Sequence, residues 1–260
     1  MKKNVIIDDV EYILDTKTYK ASLSKYPETN QGTVTILTNI SYEETNYVVT
    51  SIGKSAFSCC SLTGVVIPEG VKKIGTAAFS GCKCLTSIII PNSVTMICKE
   101  AFRNCTSLTS INIPNGIKKI ASYVFSGCES LTSVNLPKGV KFIDEGAFFF
   151  CANLTSIKIP KSVIIIDNDA FCGCTSLASI NIPEGVMSIG AWVFGGCTSL
   201  TEIDIPDSII RIGRCPFDGC ENLKSIIMHS FDFSDSFGAI RYGCPAIIYV
   251  RRDMVYDDPR

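Results

Sequence analysis

Cysteine is the residue type in this chain that could contribute most to a metal site or to catalysis, because 14 of its 260 residues are cysteines. Structural zinc sites use cysteine pairs separated by two to four residues, and their four ligands converge on the metal. Two pairs here, Cys82 with Cys84 and Cys172 with Cys174, are separated by a single residue. We therefore predict no metal site.

Most of the cysteines follow a regular spacing rather than a ligand pattern. Eight of them recur every 23 residues, at Cys59, Cys82, Cys105, Cys128, Cys151, Cys174, Cys197 and Cys220. Equivalent residues of stacked repeats lie about 4.8 Å apart, but their parallel side chains approach each other wrongly for a disulfide. We predict buried, reduced thiols that act as small apolar residues with a weak S–H donor. The sequence leaves open whether any cysteine forms a disulfide, in this column or among the remaining six, which are Cys60, Cys84, Cys98, Cys172, Cys215 and Cys244.

Few residues of this sequence are candidates for a catalytic role. His229 is the only histidine, so any Ser-His or Cys-His pair must use it. The carboxylates of Asp144, Asp167 and Asp169 fall in predicted turns, where aspartate forms local hydrogen bonds. The repeated Gly–Cys dipeptides are not a phosphate-binding loop, because no Gly-rich segment with Gly-Lys-Ser/Thr between a strand and a helix follows them. We predict a protein that is not an enzyme and has neither catalytic residues nor a cofactor.

The regular spacing extends to other residue types and indicates a stacked-repeat architecture. Prolines recur every 23 residues at Pro68, Pro91, Pro114, Pro137, Pro160, Pro183 and Pro206. Leucines keep the same interval at Leu62, Leu85, Leu108, Leu131, Leu154, Leu177, Leu200 and Leu223. Each repeat of a solenoid contacts mainly its neighbours, so such an array behaves as one body.

The hydrophobic pattern divides one repeat into three pieces. Residues 131–136 alternate between apolar and polar, which predicts a half-buried strand that ends at Pro137. Residues 139–143 begin with a turn glycine and continue with two apolar positions that we expect to be buried. Residues 146–151 predict a single helical or 3₁₀ turn that carries a column of phenylalanines.

Together these pieces predict a repeat solenoid that is mostly β, with short helical or 3₁₀ turns, about eight 23-residue repeats and β caps. We expect an N-terminal β cap at 1–50, the solenoid at 51–228, and a C-terminal cap and tail at 229–260. Within the C-terminal part, the apolar run at 246–250 is typical of a closing strand.

The composition excludes several classes of protein. Apolar residues make up 46% of the chain and charged residues 19%, which favours a continuous core over disorder. The formal net charge of −1 gives no general attraction to nucleic acid or anionic lipid. No apolar stretch approaches the ~18 residues of a membrane span, and the N-terminal apolar run from Val5 to Ile7 is shorter than the roughly 7–15 residues of a signal peptide. The sequence therefore leaves two interpretations, a cytoplasmic protein or the mature part of a secreted one.

The repeat columns resemble the BspA-like leucine-rich repeat family, whose units read I-P-x-G-V-x-x-I-G-x-x-A-F-x-G-C-x-S-L-T-S-I-x-I. The match is close from Ile182 and Pro183 through Cys197 to Leu200, and it extends over about 51–228. The resemblance implies a curved, right-handed α/β-type leucine-rich-repeat solenoid with a parallel sheet on its concave side. It also implies a secreted or cell-surface location, although a cytoplasmic location stays possible without a signal peptide.

Two columns of the predicted concave sheet vary between repeats. One lies four residues after each column leucine, and the other follows each column proline, whereas the position two residues after the leucine is nearly always serine. Variation over a fixed frame is typical of a recognition surface, so we predict partner binding by ten residues that we call the strip. The strip consists of Asn112, Asn135, Lys158, Asn181, Asp204, Asn115, Lys138, Lys161, Glu184 and Asp207.

The strip is polar and mildly basic in its middle and acidic toward its C-terminal end. Our leading hypothesis is a non-enzymatic protein-binding module with a role in surface attachment or host interaction, whose partner and oligomeric state stay open. The alternatives are a glycan-binding module and an intracellular scaffold. Glycan sites use aromatic rings for stacking, and the strip contains no aromatic residue.

Overall fold

The computed structural model describes residues 1–228 and 247–250, which form β-strands and turns. The strands of the N-terminal part are β1 (Lys2–Ile7), β2 (Val10–Asp15), β3 (Lys20–Lys25), β4 (Gly32–Thr35), β5 (Asn39–Tyr42) and β6 (Thr45–Ile52). β2 shows why they form, because its buried Tyr12 and Leu14 alternate with exposed Glu11. β1, β2 and β3 pair antiparallel, β6 joins the same sheet by parallel pairing with β3, and β5 pairs antiparallel with β6.

The first side of the solenoid is formed by parallel strands, one from nearly every repeat, and these strands pair in three separate ladders. Its strands are β7 (Leu62–Val66), β9 (Ser87–Ile89), β11 (Ser110–Asn112), β13 (Ser133–Asn135), β15 (Ser156–Lys158), β18 (Glu202–Ile205), β20 (Ser225–Met228) and β21 (Ile247–Val250). In the sixth repeat a single bridge between Lys158 and Asn181 takes the place of a strand. β4 pairs with β7 at one end, and β21 pairs with β20 at the other. The closing strand predicted near residue 246 is therefore confirmed.

A second parallel sheet is built from strands of two residues that follow the column prolines. These strands are β8 (Lys73–Ile74), β10 (Met96–Ile97), β12 (Lys119–Ile120), β14 (Phe142–Ile143), β16 (Ile165–Ile166), β17 (Ser188–Ile189) and β19 (Arg211–Ile212). The ladder of β8 and β10 starts on β6, and β12 to β19 continue it in a second ladder. The isoleucine of each strand is buried, while the first residue faces outward.

The third side of each repeat consists of turns, where the sequence predicted a helical or 3₁₀ turn. Along residues 146–151, every second amide N–H donates to a carbonyl of the next repeat at 2.8 to 2.9 Å. The amides between them donate to carbonyls three residues back at 3.0 to 3.1 Å. A helical turn needs all of these donors within its own segment, so bonding between repeats replaces it. No helix is present among the described residues.

A stack of phenylalanine rings fills the space between the three sides. The centroids of neighbouring rings lie 4.9 to 5.8 Å apart, and Tyr26 extends the stack beyond its first ring at 4.8 Å. The stacked residues are Phe57, Phe79, Phe102, Phe125, Phe148, Phe171, Phe194 and Phe217. Every ring is fully buried or nearly so, which confirms the predicted column and joins the repeats into one continuous core.

Candidate interaction surface

The buried cysteines form a ladder of hydrogen bonds along this core. Each thiol donates to the backbone carbonyl of the stacked phenylalanine in the preceding repeat, at Sγ–O distances of 2.8 to 3.2 Å. The donors are Cys82, Cys105, Cys128, Cys151, Cys174, Cys197 and Cys220.

The burial of these thiols decides their chemistry. Desolvation raises the pKa of Cys128 to about 12, and it raises the pKa of Cys105 and Cys151 well above the ordinary value. A thiol must lose its proton to act as a nucleophile or a metal ligand. Held protonated, the column thiols serve as hydrogen-bond donors and packing groups rather than as reactive groups.

The structure corrects the first member of this column. Counting back 23 residues from Cys82 predicts Cys59, but Cys60 is the buried residue and Cys59 is exposed. Cys60 follows Phe57 by three residues, the same interval as from Phe79 to Cys82. The first repeat loses one residue after this point, so the prediction for Cys59 was wrong by one position.

The remaining chemically active groups do not assemble into a site within the described residues. No cysteine in this part of the chain is in a disulfide. No three His, Cys, Asp or Glu side chains of the described ranges are grouped so that they could hold a metal ion. His229 and Cys244 lie outside these ranges.

All ten residues of the strip are exposed. The parallel register explains this, because Asn112 pairs with Asn135 and Asn135 with Lys158, while the apolar residue before each of them is buried. Alternation along the strand therefore directs the whole column to the same outer face of the first side of the solenoid. The bridge from Lys158 to Asn181 carries the column into the sixth repeat.

An open groove of about 590 Å³ lies on this face, between the third and fourth repeats. Four strip residues line it, namely Asn112, Asn115, Asn135 and Lys138. Backbone and apolar groups complete its lining at Leu136, Pro137, Gly139 and Ile113. The remaining strip residues do not line the groove and continue the exposed surface through later repeats. The amide and ammonium groups of the lining supply both hydrogen-bond donors and acceptors to an occupant.

Positive charge collects beside the groove. The Nζ atom of Lys118 lies over Gly139, only 2.6 Å from the point where a Cβ atom would stand. Lys119 is occupied by an ion pair with Asp144, with an Nζ–Oδ2 distance of 2.6 Å. Within the described residues, the strip lysines have no such carboxylate partner. Their ammonium groups are therefore free to meet an incoming anion.

Sequence reasoning missed an exposed apolar row on the second sheet side of the repeats. The backbone amide of Met187 donates to Ile164, and that of Ile210 donates to Met187, so the three residues are neighbours in adjacent repeats. Met187 is 46% exposed and Ile210 is 70% exposed. The signal was present in the sequence, because each residue lies four positions after a column proline, where earlier repeats have lysine or threonine.

A parallel solenoid of 23-residue turns with buried leucine, phenylalanine and cysteine columns defines a protein of the leucine-rich repeat class. The chain matches the BspA type leucine rich repeat region in six copies, over residues 50–177 and 142–239. These matches span more than half of the chain, so the protein belongs to this family.

Solved structures of bacterial leucine-rich repeat proteins have the same fold. A leucine-rich repeat protein from Bacteroides ovatus is 29% identical with a TM-score of 0.63, and the alignment covers 87% of this chain and 71% of that one. The leucine rich repeat protein of T. pallidum is also 29% identical, with a TM-score of 0.64 and coverages of 85% and 91%. A leucine rich cell surface protein from Faecalibacterium prausnitzii is 27% identical, with a TM-score of 0.51 and coverages of 86% and 88%.

No curated protein matches this sequence significantly. In the part of the chain that the structure describes, there is no helix that could span a bilayer.

Proposed function

We propose that this protein is a non-enzymatic module that binds a polypeptide partner through the strip. The observation that carries the proposal is the groove, because four of its lining residues belong to the two columns that vary within an otherwise uniform frame. Stacked repeats create extended binding surfaces of this kind. The groove is open rather than enclosed, which fits a chain segment better than a small molecule.

The chemistry of the groove favours a polypeptide over a glycan. Asn112, Asn115 and Asn135 present amides that donate and accept hydrogen bonds, as the amide groups of a peptide require. No aromatic side chain lines the groove or belongs to the strip, so a sugar ring finds no surface on which to stack. Glycan binding is therefore the outcome that the test below must exclude.

A location at the bacterial cell surface is part of the proposal. It is supported by the similarity to the F. prausnitzii protein, which is described as a leucine rich cell surface protein. Surface attachment or contact with a host would use the strip as the recognition face. Detection of the protein on intact cells by an antibody, without permeabilisation, tests this part separately.

Selection of binding peptides from a displayed random library tests the role of the strip. The double variant Asn135→Ala, Lys158→Ala should bind the selected peptides at least tenfold more weakly at an unchanged melting temperature, because both residues are exposed. The double variant Asn153→Ala, Lys99→Ala changes the same residue types at exposed positions outside the strip and should bind normally. Equal binding by both variants, or clear hits on a glycan array with no selected peptide, would contradict the proposal.

A further inference from the structure

We propose that the strip recognises a segment of polypeptide with acidic side chains at one end and basic side chains at the other. This inference rests on the function proposed above and adds the chemistry and the orientation of the partner. It follows from the order of charges along the column of residues that directly follow the prolines. In four successive repeats that column carries Lys138, Lys161, Glu184 and Asp207.

The basic half of this surface consists of Lys138, Lys158 and Lys161. All three side chains are exposed, and within the described residues none of them pairs with a carboxylate. Lys118 adds a fourth positive charge next to Lys138, since its Nζ atom lies over Gly139. The half is therefore a concentrated positive surface that carboxylates of a partner can neutralise.

The acidic half begins in the next repeat. Glu184 and Asp207 are exposed in the column that follows the prolines, and Glu202 is exposed at the start of β18. Asp204 lies on the same outer face of β18, two residues further along the strand. Lysine or arginine side chains of a partner fit this half for the same reason that carboxylates fit the other half.

The spacing of the repeats keeps the two halves electrically distinct. Neighbouring strands lie about 4.8 Å apart, so the centres of the two halves, two repeats apart, are separated by about 10 Å. At physiological ionic strength the screening length is about 8 Å, so the field of each half is partly screened at the centre of the other, although Lys161 and Glu184 meet at their boundary. An extended peptide advances about 3.3 Å per residue, so its acidic and basic groups need to be centred about three residues apart.

This arrangement disfavours a partner with one sign of charge. A sulfated glycan or a nucleic acid laid along the strip would meet the lysines and then be repelled by the carboxylates of the next two repeats. A segment with both signs contacts the full length of the surface and is held in one direction. The strip thus selects the order of charges in its partner, not only their number.

Two synthetic peptides of identical composition test the inference. One, the block peptide, has three glutamates followed directly by three lysines, so that its two charged groups are centred three residues apart, and the other has the same six residues in alternation. The block peptide should bind at least tenfold more tightly in fluorescence anisotropy, and the difference should vanish near 1 M salt, where screening acts within about 3 Å. Equal binding of the two peptides would overturn the inference.

Charge-reversal variants separate charge order from general attraction. The double variants Lys138→Glu, Lys161→Glu and Glu184→Lys, Asp207→Lys should each lose binding of the block peptide. The quadruple variant that combines them keeps the total charge of the surface but brings each half close to zero, because Lys118 and Lys158 remain in one half and Glu202 and Asp204 in the other, so it should also lose binding, whereas a general attraction would leave binding unchanged. All of these positions are exposed, and equal melting temperatures will show that the variants are folded.

Other occupants give different results in the same experiments. Heparin or polyglutamate that binds more tightly than the block peptide would show a polyanion site and overturn the inference. Self-association in sedimentation that is lost in one double variant and restored on mixing both would assign the surface to a second copy of this chain. If the peptides selected from the random library need the strip but show no separated charges, the proposed function stands and this inference fails.

Discussion

Alkaline pH should unfold this protein, because its column thiols stay protonated only while they are buried. Desolvation raises the pKa of Cys82 and Cys128 to about 12 and raises the pKa of the neighbouring column thiols in the same direction. A thiol in the unfolded chain loses its proton near pH 8.5. Above that pH the folded state binds more protons than the unfolded state, so the stability falls as the pH rises toward the folded-state values.

The size of the effect follows from the number of thiols. Each one lowers the free energy of unfolding by about 1.4 kcal/mol per pH unit once its unfolded form is ionised. Six such thiols lower it by roughly 7 to 8 kcal/mol per unit above about pH 9. The affected residues are Cys82, Cys105, Cys128, Cys151, Cys174 and Cys197. Because whole domains are stable by only about 5–15 kcal/mol and about 5 kcal/mol is already lost by pH 9, we expect unfolding between about pH 9 and 10.5.

Urea titrations from pH 7.5 to 10.5, in the presence of a reductant, measure this slope. Cys128→Ala removes one buried thiol and should reduce the slope by about one sixth, whatever its effect at neutral pH. Cys84→Ala is the matched control, because Cys84 is exposed and lies outside the column, and it should leave the slope unchanged. A free energy of unfolding that stays constant up to pH 10.5 would refute the buried, protonated ladder.

Two further pairs of substitutions test the packing, with the free energy of unfolding in urea as the measurement. Phe148→Ala removes a ring stacked between neighbours 5.5 and 5.4 Å away and should cost about 3–5 kcal/mol, whereas Phe150→Ala, 52% exposed, should cost under about 1 kcal/mol. Equal costs would contradict the buried stack. Gly213→Ala puts a methyl group against the backbone of Ala191 and should lower the free energy of unfolding by about 1–3 kcal/mol. Gly116→Ala should lower it less, because the nearest atom there is a side-chain methyl carbon 3.3 Å away, which can move. A larger loss in Gly116→Ala than in Gly213→Ala would show that repeat spacing does not limit these glycines.

The repeat columns made most of the fold predictable from the sequence. A 23-residue step places every column residue beside its equivalent, so the outward direction of Asn135 and Lys158 followed from the alternation around Leu131 alone. The stack of rings was predictable for the same reason, although its extension to Tyr26 was not, since that residue lies outside the repeats.

The turns were predicted wrongly because their signal is hidden in the sequence. Each repeat places two residues in the left-handed region, and glycine holds only some of these positions. Tyr123, Asp169 and Trp192, with φ of 55° each, occupy the first of them in three repeats. Bulky residues rarely adopt this conformation, and the short segment with its small residues indicated a helical turn instead. Hydrogen bonds between repeats stabilise it, and such bonds cannot be read from one repeat alone.

The groove and the charge pattern were predictable only in part. The sequence identified the strip residues, but only the structure shows that Asn112, Asn115, Asn135 and Lys138 share one groove. It also shows that Lys119, which the sequence does not distinguish from Lys118, is occupied by an ion pair. Pairing of side chains depends on rotamers and on contacts across columns, whereas the 23-residue period describes contacts along a column.

The architecture separates stability from recognition. Leucine, phenylalanine and cysteine columns fill the core, and their near-uniformity shows that every repeat solves the same packing problem. The strip positions contribute backbone groups to the sheet and turns while their side chains remain outside. A change such as Lys161→Glu therefore alters the surface without creating a cavity or a buried charge. The same frame can present a different order of charges at almost no cost in folding, so recognition in this chain depends on the side chains that vary between its repeats.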